Sequence, residues 1–234
     1  MRNLLEVDLS NFGSSSIINM KDMFIDCSSL TSINLANLKT NLVQNMQGMF
    51  SGCSSLKELD LSSFNTSQVI SMDYMFRYCI NLTKLNISGF DTSNVERMQA
   101  MFQNLESLTY LDLSHFDTSK VTWMNMMFWG LKNLKSLDLS NFNTSSVNNM
   151  ADMFTNDEKL EHLYLTNFDT SKVALMGQLF RGCKKLTSLD LSSFDTTNVK
   201  DMNYMFTECE SLSILNLSNF KTPNLEGMIS MFYG

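Results

Sequence analysis

Residues 56–81 read LKELDLSSFNTSQVISMDYMFRYCIN, and this 26-residue unit recurs through the chain without an insertion or a deletion. Nine copies account for the 234 residues. Each copy opens with a leucine, and these leucines are Leu4, Leu30, Leu56, Leu82, Leu108, Leu134, Leu160, Leu186 and Leu212. A fixed period of this length indicates a stack of similar structural units, in which each unit covers the apolar face of its neighbour.

The opening of the unit predicts a short strand. Leu59 and Leu61 alternate with Glu58 and Asp60, which is the two-residue period of a strand buried on one face. The rest of the unit is long enough to bring the chain back for parallel pairing with the next copy. The period and the phrase Leu-x-x-Leu-x-Leu together predict an α/β leucine-rich-repeat solenoid, a single domain over residues 1–234, with a parallel sheet on its concave face.

The second half of the unit predicts a short helix on the convex face. Its apolar residues recur at steps of three or four, and in this copy they are Val69, Met72, Met75, Phe76 and Cys79. Residues that share a position in successive units form a column, and Thr66 lies in a threonine column where a hydroxyl can cap a helix. Gly52 falls at the end of the pattern in the preceding unit, as expected for a left-handed C-terminal cap.

The most regular columns indicate a packed core. All 17 phenylalanines fall in two columns, and all but two of the 19 methionines fall in the columns led by Met20 and Met23. The cysteines share one column with Leu105 and Leu131, so they are predicted to be small buried hydrophobes. Asp157 occupies the same column, and its charge predicts that this turn swings out to solvent.

Composition and motifs exclude several classes of function. A net charge of −7 with scattered lysines and arginines disfavours nucleic-acid binding. No apolar run approaches the length of a membrane-spanning helix. His115 and His162 lie in different columns, without a catalytic or metal-binding phrase around them. The sequence therefore predicts a protein that is not an enzyme, holds no metal or cofactor, and inserts no segment into a membrane.

Two stretches carry a family resemblance. Residues 189–209, LDLSSFDTTNVKDMNYMFTEC, and residues 49–56, MFSGCSSL, resemble the BspA-type leucine-rich repeats of bacterial surface proteins and of lipoproteins from wall-less bacteria. The resemblance covers essentially the whole chain, and it implies display on the cell surface and adhesion to a host extracellular-matrix protein. The chain carries no export signal, anchor or terminal cap, so we expect a fragment of a longer protein whose open ends favour end-to-end self-association.

Outward positions of the strands form the first candidate binding surface. The predicted partner-binding residues on this concave face are Glu58, Asp60, Lys84, Tyr110, Asp112, Asp138, His162, Tyr164 and Asp190. The aspartates either accept hydrogen bonds along the stack or form an acidic stripe for basic segments of a partner or loosely held Ca²⁺. Tyr110, His162 and Tyr164 are predicted to form an aromatic patch, since aromatic residues are common anchors at interfaces.

A second candidate surface lies on the convex face. Trp123, Met126 and Trp129 replace mostly polar residues at three-residue spacing, so they are predicted either to line one exposed helix face or to pack locally against each other. These surfaces favour a protein-interaction scaffold, the binding or adhesion segment of a bacterial surface protein. The alternative is a structural spacer or self-assembling repeat element. A third hypothesis treats the threonine column as an array that matches ice or a mineral, although helix capping explains these threonines more simply.

Overall fold

Short strands recur along the chain in the computed structural model, which describes residues 1–13 and 15–234. They are β1 (Glu6–Asp8), β2 (Ser32–Asn34), β3 (Glu58–Asp60), β4 (Lys84–Asn86), β5 (Ser136–Asp138), β6 (His162–Tyr164), β7 (Ser188–Leu189) and β8 (Ile214–Leu215). In β3 the middle residue is buried and its two neighbours are exposed, as the alternation predicts. The prediction of short parallel strands is confirmed, because all four strand pairs are parallel.

The strands pair two by two with a constant offset. β1 pairs with β2, β3 with β4, β5 with β6, and β7 with β8. Glu58 faces Lys84, which is 26 residues later, so residues of one column lie side by side on neighbouring 26-residue coils. Each coil begins at one of the repeated leucines. The described strands therefore form four separate pairs, and no strand forms among the described residues between Asn86 and Ser136, so the widest interruption of the sheet lies at the coil of residues 108–133.

The second half of each coil is a chain of turns. No described residue is helical, so the predicted convex-face helices are wrong. The Met75 amide donates to the Met72 carbonyl three residues back, at 3.2 Å, whereas the Met72 amide donates to the Arg97 carbonyl of the next coil, at 3.0 Å. A helix would send each amide to the carbonyl four residues back. The spacing of three to four residues holds in both arrangements, because successive turns also return every third or fourth side chain to the core.

Left-handed residues keep this segment from closing into a helix. The columns led by Asp22 (φ 56°) and Asp26 (φ 55°) have positive φ along the stack. Glycine and asparagine adopt this conformation at little cost. Gly52, with φ 76°, is therefore left-handed as predicted, but it completes a turn and not a helix.

The turn segments form a continuous ladder. Single parallel bridges join Asn19 to Asn45 and then continue in steps of 26 residues to Gly227. Trp123 is bridged on both sides, so the ladder runs unbroken through the coil that lacks a strand. We refer to the outward side chains of residues 19–26 and of their equivalents in later coils as the turn face. The strand face is formed by the outward side chains of the strands and their equivalents.

Stacked columns fill the space between the two faces. Phe24 stacks on Phe50 with ring centroids 5.5 Å apart, and Phe50 stacks on Phe76 at 6.1 Å. The Cys79 thiol donates to the Phe50 carbonyl at 3.1 Å, and burial raises the pKa of the Cys53 thiol to about 12. All five cysteines are free and buried, so their predicted packing role is confirmed.

Threonine hydroxyls join the coils to each other. The Thr118 hydroxyl donates to the Asn143 carbonyl and accepts the Asn143 amide, both at 2.9 Å. Thr66 makes the same two bonds with Asp91. From Thr40 to Thr196 this column is buried. Helix capping by these threonines and their presentation as an exposed array are therefore both wrong, because each hydroxyl is used between coils.

Asp157 is buried, with only 1% of its surface exposed, so the predicted outward turn is wrong. Its Oδ1 accepts the Leu131 amide at 2.7 Å. In other coils the amide of this column donates to a phenylalanine carbonyl, as the Cys79 amide does to Phe76. Burial raises the pKa of the Asp157 carboxyl well above its ordinary value, although the amide bonds oppose the shift.

Candidate interaction surfaces

Every candidate residue on the strand face is exposed. They are Glu58, Asp60, Lys84, Tyr110, Asp112, Asp138, His162, Tyr164 and Asp190. Lys84 Nζ lies 2.6 Å from Glu58 Oε1 in the adjacent coil. Because both side chains are well exposed, this ion pair contributes little to stability. Its charges remain accessible to a partner.

The aspartate column has a local structural role. Asp60 Oδ1 accepts the Ser62 amide at 2.9 Å, and Asp138 Oδ1 accepts the Ser140 amide at 2.9 Å. These bonds lower the pKa of the Asp60 carboxyl, which therefore stays ionised at neutral pH. The described residues contain no group of three or more histidine, cysteine, aspartate or glutamate side chains placed to hold a metal ion.

Tyr110 lies where the sheet is interrupted. Its coil forms no strand, and its side chain is 75% exposed. Tyr110 lines a groove of about 350 Å³ toward the following coil and two smaller grooves, of about 290 and 250 Å³, toward the preceding coils. The strand face therefore has grooves on both sides of this ring.

Charged side chains surround the Tyr110 grooves. Asp112 and Asp138 line the largest groove with Lys135, and Glu58 and Lys84 line one of the smaller grooves. Hydrogen bonds from Ser114 lower the pKa of the Asp112 carboxyl. The surface thus combines one large exposed ring with fixed carboxylates, which suits a partner carrying basic and apolar side chains.

The three predicted aromatic residues of the strand face do not form one cluster. His162 and Tyr164 lie on β6, on the same exposed side. Tyr110 belongs to a coil two positions earlier, and no ring contact joins it to either residue within the described part of the chain. Of the three, only Tyr110 belongs to a coil that forms no strand, which the repeat pattern did not predict.

The turn face places its predicted residues differently from a helix. Trp123 is 40% exposed, whereas Met126 and Trp129 are half-buried. The three residues therefore do not line one exposed helix face. The Arg97 guanidinium lies over the Trp123 ring, 4.9 Å from its centroid, so Trp123 is paired with a cation from the preceding coil.

Five residues at the turn face were not predicted as site residues from the sequence. Asp73 is fully buried and accepts Arg97 Nε at 2.6 Å, which holds the guanidinium in place. Arg77 lies over the rings of Tyr74 and Tyr78, with centroids at 5.5 and 4.6 Å. The available signal was the departure of Tyr78 from a column in which glycine, asparagine or aspartate is usual. No described residue belongs to a helix long and apolar enough to cross a membrane.

Comparison with known proteins finds one family along the whole chain. The family model described as "Mycoplasma protein of unknown function, DUF285" matches residues 1–82, 54–163 and 132–234. No curated protein matches the chain.

Solved structures give remote similarities. A leucine-rich repeat protein from Bacteroides ovatus is 18% identical with a TM-score of 0.48, and the match covers 94% of this chain and 56% of that protein. A leucine rich cell surface protein from Faecalibacterium prausnitzii is 15% identical with a TM-score of 0.35, and the match covers 92% of this chain and 74% of that protein. The chain thus spans about half the length of the Bacteroides ovatus protein.

Proposed function

The chain belongs to the family of Mycoplasma proteins of unknown function, DUF285, and from this premise we propose that it is a non-enzymatic protein-interaction scaffold at the bacterial cell surface. Its proposed role is that of the binding or adhesion segment of a longer surface protein, with a host extracellular-matrix protein as partner. The BspA-type resemblance of its repeats supports this location and role. Most of the regular columns serve packing, so binding falls to the irregular exposed positions.

The interruption of the sheet around Tyr110 is the observation that carries this proposal. A large exposed ring between grooves can enter an apolar pocket of a partner, and aromatic residues of this kind dominate binding energy at interfaces. The ionised Asp112 and Asp138 beside it favour basic side chains and raise the association rate. Glu58, Asp60, Lys84, His162, Tyr164 and Asp190 form the polar surroundings of the proposed interface.

Binding to immobilised extracellular-matrix proteins tests the proposal. The purified chain is passed over a panel of such proteins, and saturable binding to at least one of them is expected. Tyr110→Ser then weakens that binding about tenfold or more, because an anchoring ring is lost. Serine occupies the same column at Ser136, so the fold tolerates the change.

Glu6→Ser is the matched control. Glu6 is exposed in the same column as Tyr110, at the first coil and away from the grooves. This variant is expected to bind like the unmodified chain. Absence of saturable binding to every protein of the panel contradicts adhesion, and equal binding of the Tyr110 and Glu6 variants contradicts the assignment of the groove.

A second candidate function is end-to-end assembly, in which the chain acts as a spacer or self-assembling element. Within the stack the Met20 amide donates to the Asn45 carbonyl, and every coil repeats this direction. Coils of two copies can therefore bond to each other in the same way, and Phe232, which stacks on Phe206, can continue the ring stack onto a phenylalanine of a second copy.

Sedimentation across a wide concentration range tests assembly. Head-to-tail oligomers are expected to grow with concentration, and Phe232→Glu is expected to prevent them by placing a charge on the exposed end. Ile70→Glu, at an exposed apolar residue far from both ends, serves as the control. A chain that remains monomeric throughout, or a Phe232 variant that assembles as well as the control, contradicts this function.

A further inference from the structure

Bulky residues occupy left-handed positions on the turn face, and three of them belong to the coils between residues 56 and 133. Tyr74 and Tyr78 have φ of 59° and 60°, and Met126 has φ of 60°. In the same two columns Gly48, with φ 62°, and Gly52 show the residue type that this backbone favours. Large side chains are strained in this region, and such strain is found where a site requires the side chain.

Aromatic rings in this part of the turn face lie against two arginines. Arg77 lies against the Tyr74 and Tyr78 rings, and its Nη2 donates to the Tyr78 hydroxyl at 3.3 Å. Arg97 lies over Trp123 and uses its Nε to bind the buried Asp73. The five aromatic and arginine side chains Tyr74, Arg77, Tyr78, Arg97 and Trp123 form what we term the arginine-aromatic patch.

The patch offers two guanidinium groups that lie over aromatic rings and still have free donors. Arg77 takes part in no ion pair within the described residues, and the terminal nitrogens of Arg97 have no protein acceptor there. A guanidinium fixed in a plane recognises a carboxylate with two parallel hydrogen bonds. Trp123 and Tyr78 are partly exposed and add apolar contact beside these donors.

We propose that the arginine-aromatic patch is a second interaction surface that binds an acidic segment of a partner protein. Carboxylates of that segment pair with the free guanidinium nitrogens of Arg77 and Arg97, and its apolar side chains pack on the exposed rings. Tyrosine, tryptophan and arginine are the residue types that dominate binding at protein interfaces, which favours a protein over a glycan. This surface lies on the turn face, so it is independent of the Tyr110 groove.

Tryptophan fluorescence provides a local measurement, because the chain contains two tryptophans, Trp123 in the patch and Trp129 six residues later. The probe is a short glutamate-rich peptide that also carries leucines. Its titration into the full chain is expected to change the fluorescence with saturation. A matched peptide with lysine in place of each glutamate is expected to give no change. Arg77→Gln is expected to weaken binding of the glutamate peptide about tenfold.

Tyr74→Gly separates binding from folding. It replaces a strained left-handed tyrosine with the residue found at Gly48 in the same column. The variant is expected to keep its melting temperature or to raise it by up to about 4 °C, while binding of the glutamate peptide falls about tenfold. Tyr204→Gly is the matched control, because Tyr204 has φ 58° in the same column and faces Arg181 at 5.8 Å, far from both tryptophans.

The control variant is expected to behave like Tyr74→Gly in melting and like the unmodified chain in binding. Three results overturn the proposal. The first is a fluorescence change with the lysine peptide or with a neutral oligosaccharide in place of the glutamate peptide. The second is unchanged binding in the Arg77 and Tyr74 variants. The third is a lowered melting temperature in Tyr74→Gly, since the tyrosine then serves the fold.

Discussion

Asp157→Asn is the substitution whose effect follows most directly from the structure. The Asp157 carboxyl is buried in the column of the cysteines, and its Oδ2 has no hydrogen-bond partner among the described residues. The Leu131 amide donates to Asp157 Oδ1 and not to the Phe128 carbonyl, which is the usual acceptor in this column. The Phe128 carbonyl therefore receives no hydrogen bond among the described residues. In the next coil the Cys183 thiol donates to the corresponding carbonyl, at 3.1 Å. An asparagine amide can accept from Leu131 and donate to Phe128 at once, without a charge.

The sign of the pH effect follows from the direction of the pKa shift. Burial raises the pKa of the folded Asp157 carboxyl above its ordinary value of 3.8, so the folded chain holds this proton more tightly than the unfolded chain. Stability is therefore lost as the pH rises from the ordinary value toward the folded pKa, by about 1.4 kcal/mol for each pH unit. Below the ordinary value both states are protonated and the loss is absent. The asparagine of Asp157→Asn does not titrate, so the free energy of unfolding of the variant, relative to that of the unmodified chain, increases with pH at the same rate.

Urea unfolding from about pH 4 to pH 8, followed by circular dichroism, measures this difference. Asp190→Asn is the matched control, because Asp190 is exposed and bonded to Ser192, and asparagine is common in its column. The control is expected to change the free energy of unfolding by less than about 0.5 kcal/mol. Parallel pH curves for Asp157→Asn and the unmodified chain would refute the reasoning, as would a loss of stability in this variant at neutral pH.

Three further outcomes follow from the contacts between coils. Thr118→Val leaves the Asn143 amide and carbonyl without their hydroxyl partner, so urea unfolding should reveal a loss of about 2–4 kcal/mol, whereas Thr118→Ser should lose only about 1 kcal/mol. Gly130→Ala places a side chain at φ 79°, where its Cβ meets the Asn104 side chain, and thermal unfolding should record a loss of about 1–3 kcal/mol; Gly130→Asn should recover only the part of this loss that is due to the backbone, because its Cβ meets the same side chain. The Cys79 thiol is fully buried with a raised pKa, so a thiol reagent at about pH 8 should modify it only after denaturant is added.

The interior of the stack was predictable from the columns, because repetition places equivalent residues in equivalent surroundings. The phenylalanine, methionine and cysteine columns are buried through the interior of the stack and partly exposed at its first and last coils, and the aspartates of the strand face are exposed. These aspartates do accept hydrogen bonds, but the donors are serine amides two residues later in the same coil, such as that of Ser62, whereas the prediction placed the bonds along the stack. Burial and exposure depend on which way a side chain faces, and the hydrophobic period encodes that direction.

The candidate binding surfaces are formed by residues that depart from the repeat pattern, and only some of these residues were predicted from the sequence. Tyr110 and Trp123 were predicted as irregular exposed residues, and their assignment to binding remains a proposal. The interruption of the sheet at Tyr110 and the placement of Arg97 over Trp123 were not predicted. Both arise from neighbouring coils, whose contacts involve residues about 26 positions apart in the chain.

The sequence by itself determined the coil length, the strand positions and the residues that form the core, because these follow from facing direction and period. Only the tertiary structure decided that turns replace helices, since a spacing of three or four residues fits both and the deciding acceptor, such as the Arg97 carbonyl for Met72, lies in the next coil. It also decided that Asp157 is buried, because the Leu131 amide that holds its carboxylate comes from the preceding coil. A single coil specifies which groups point inward, and the stack specifies which groups bond to each other.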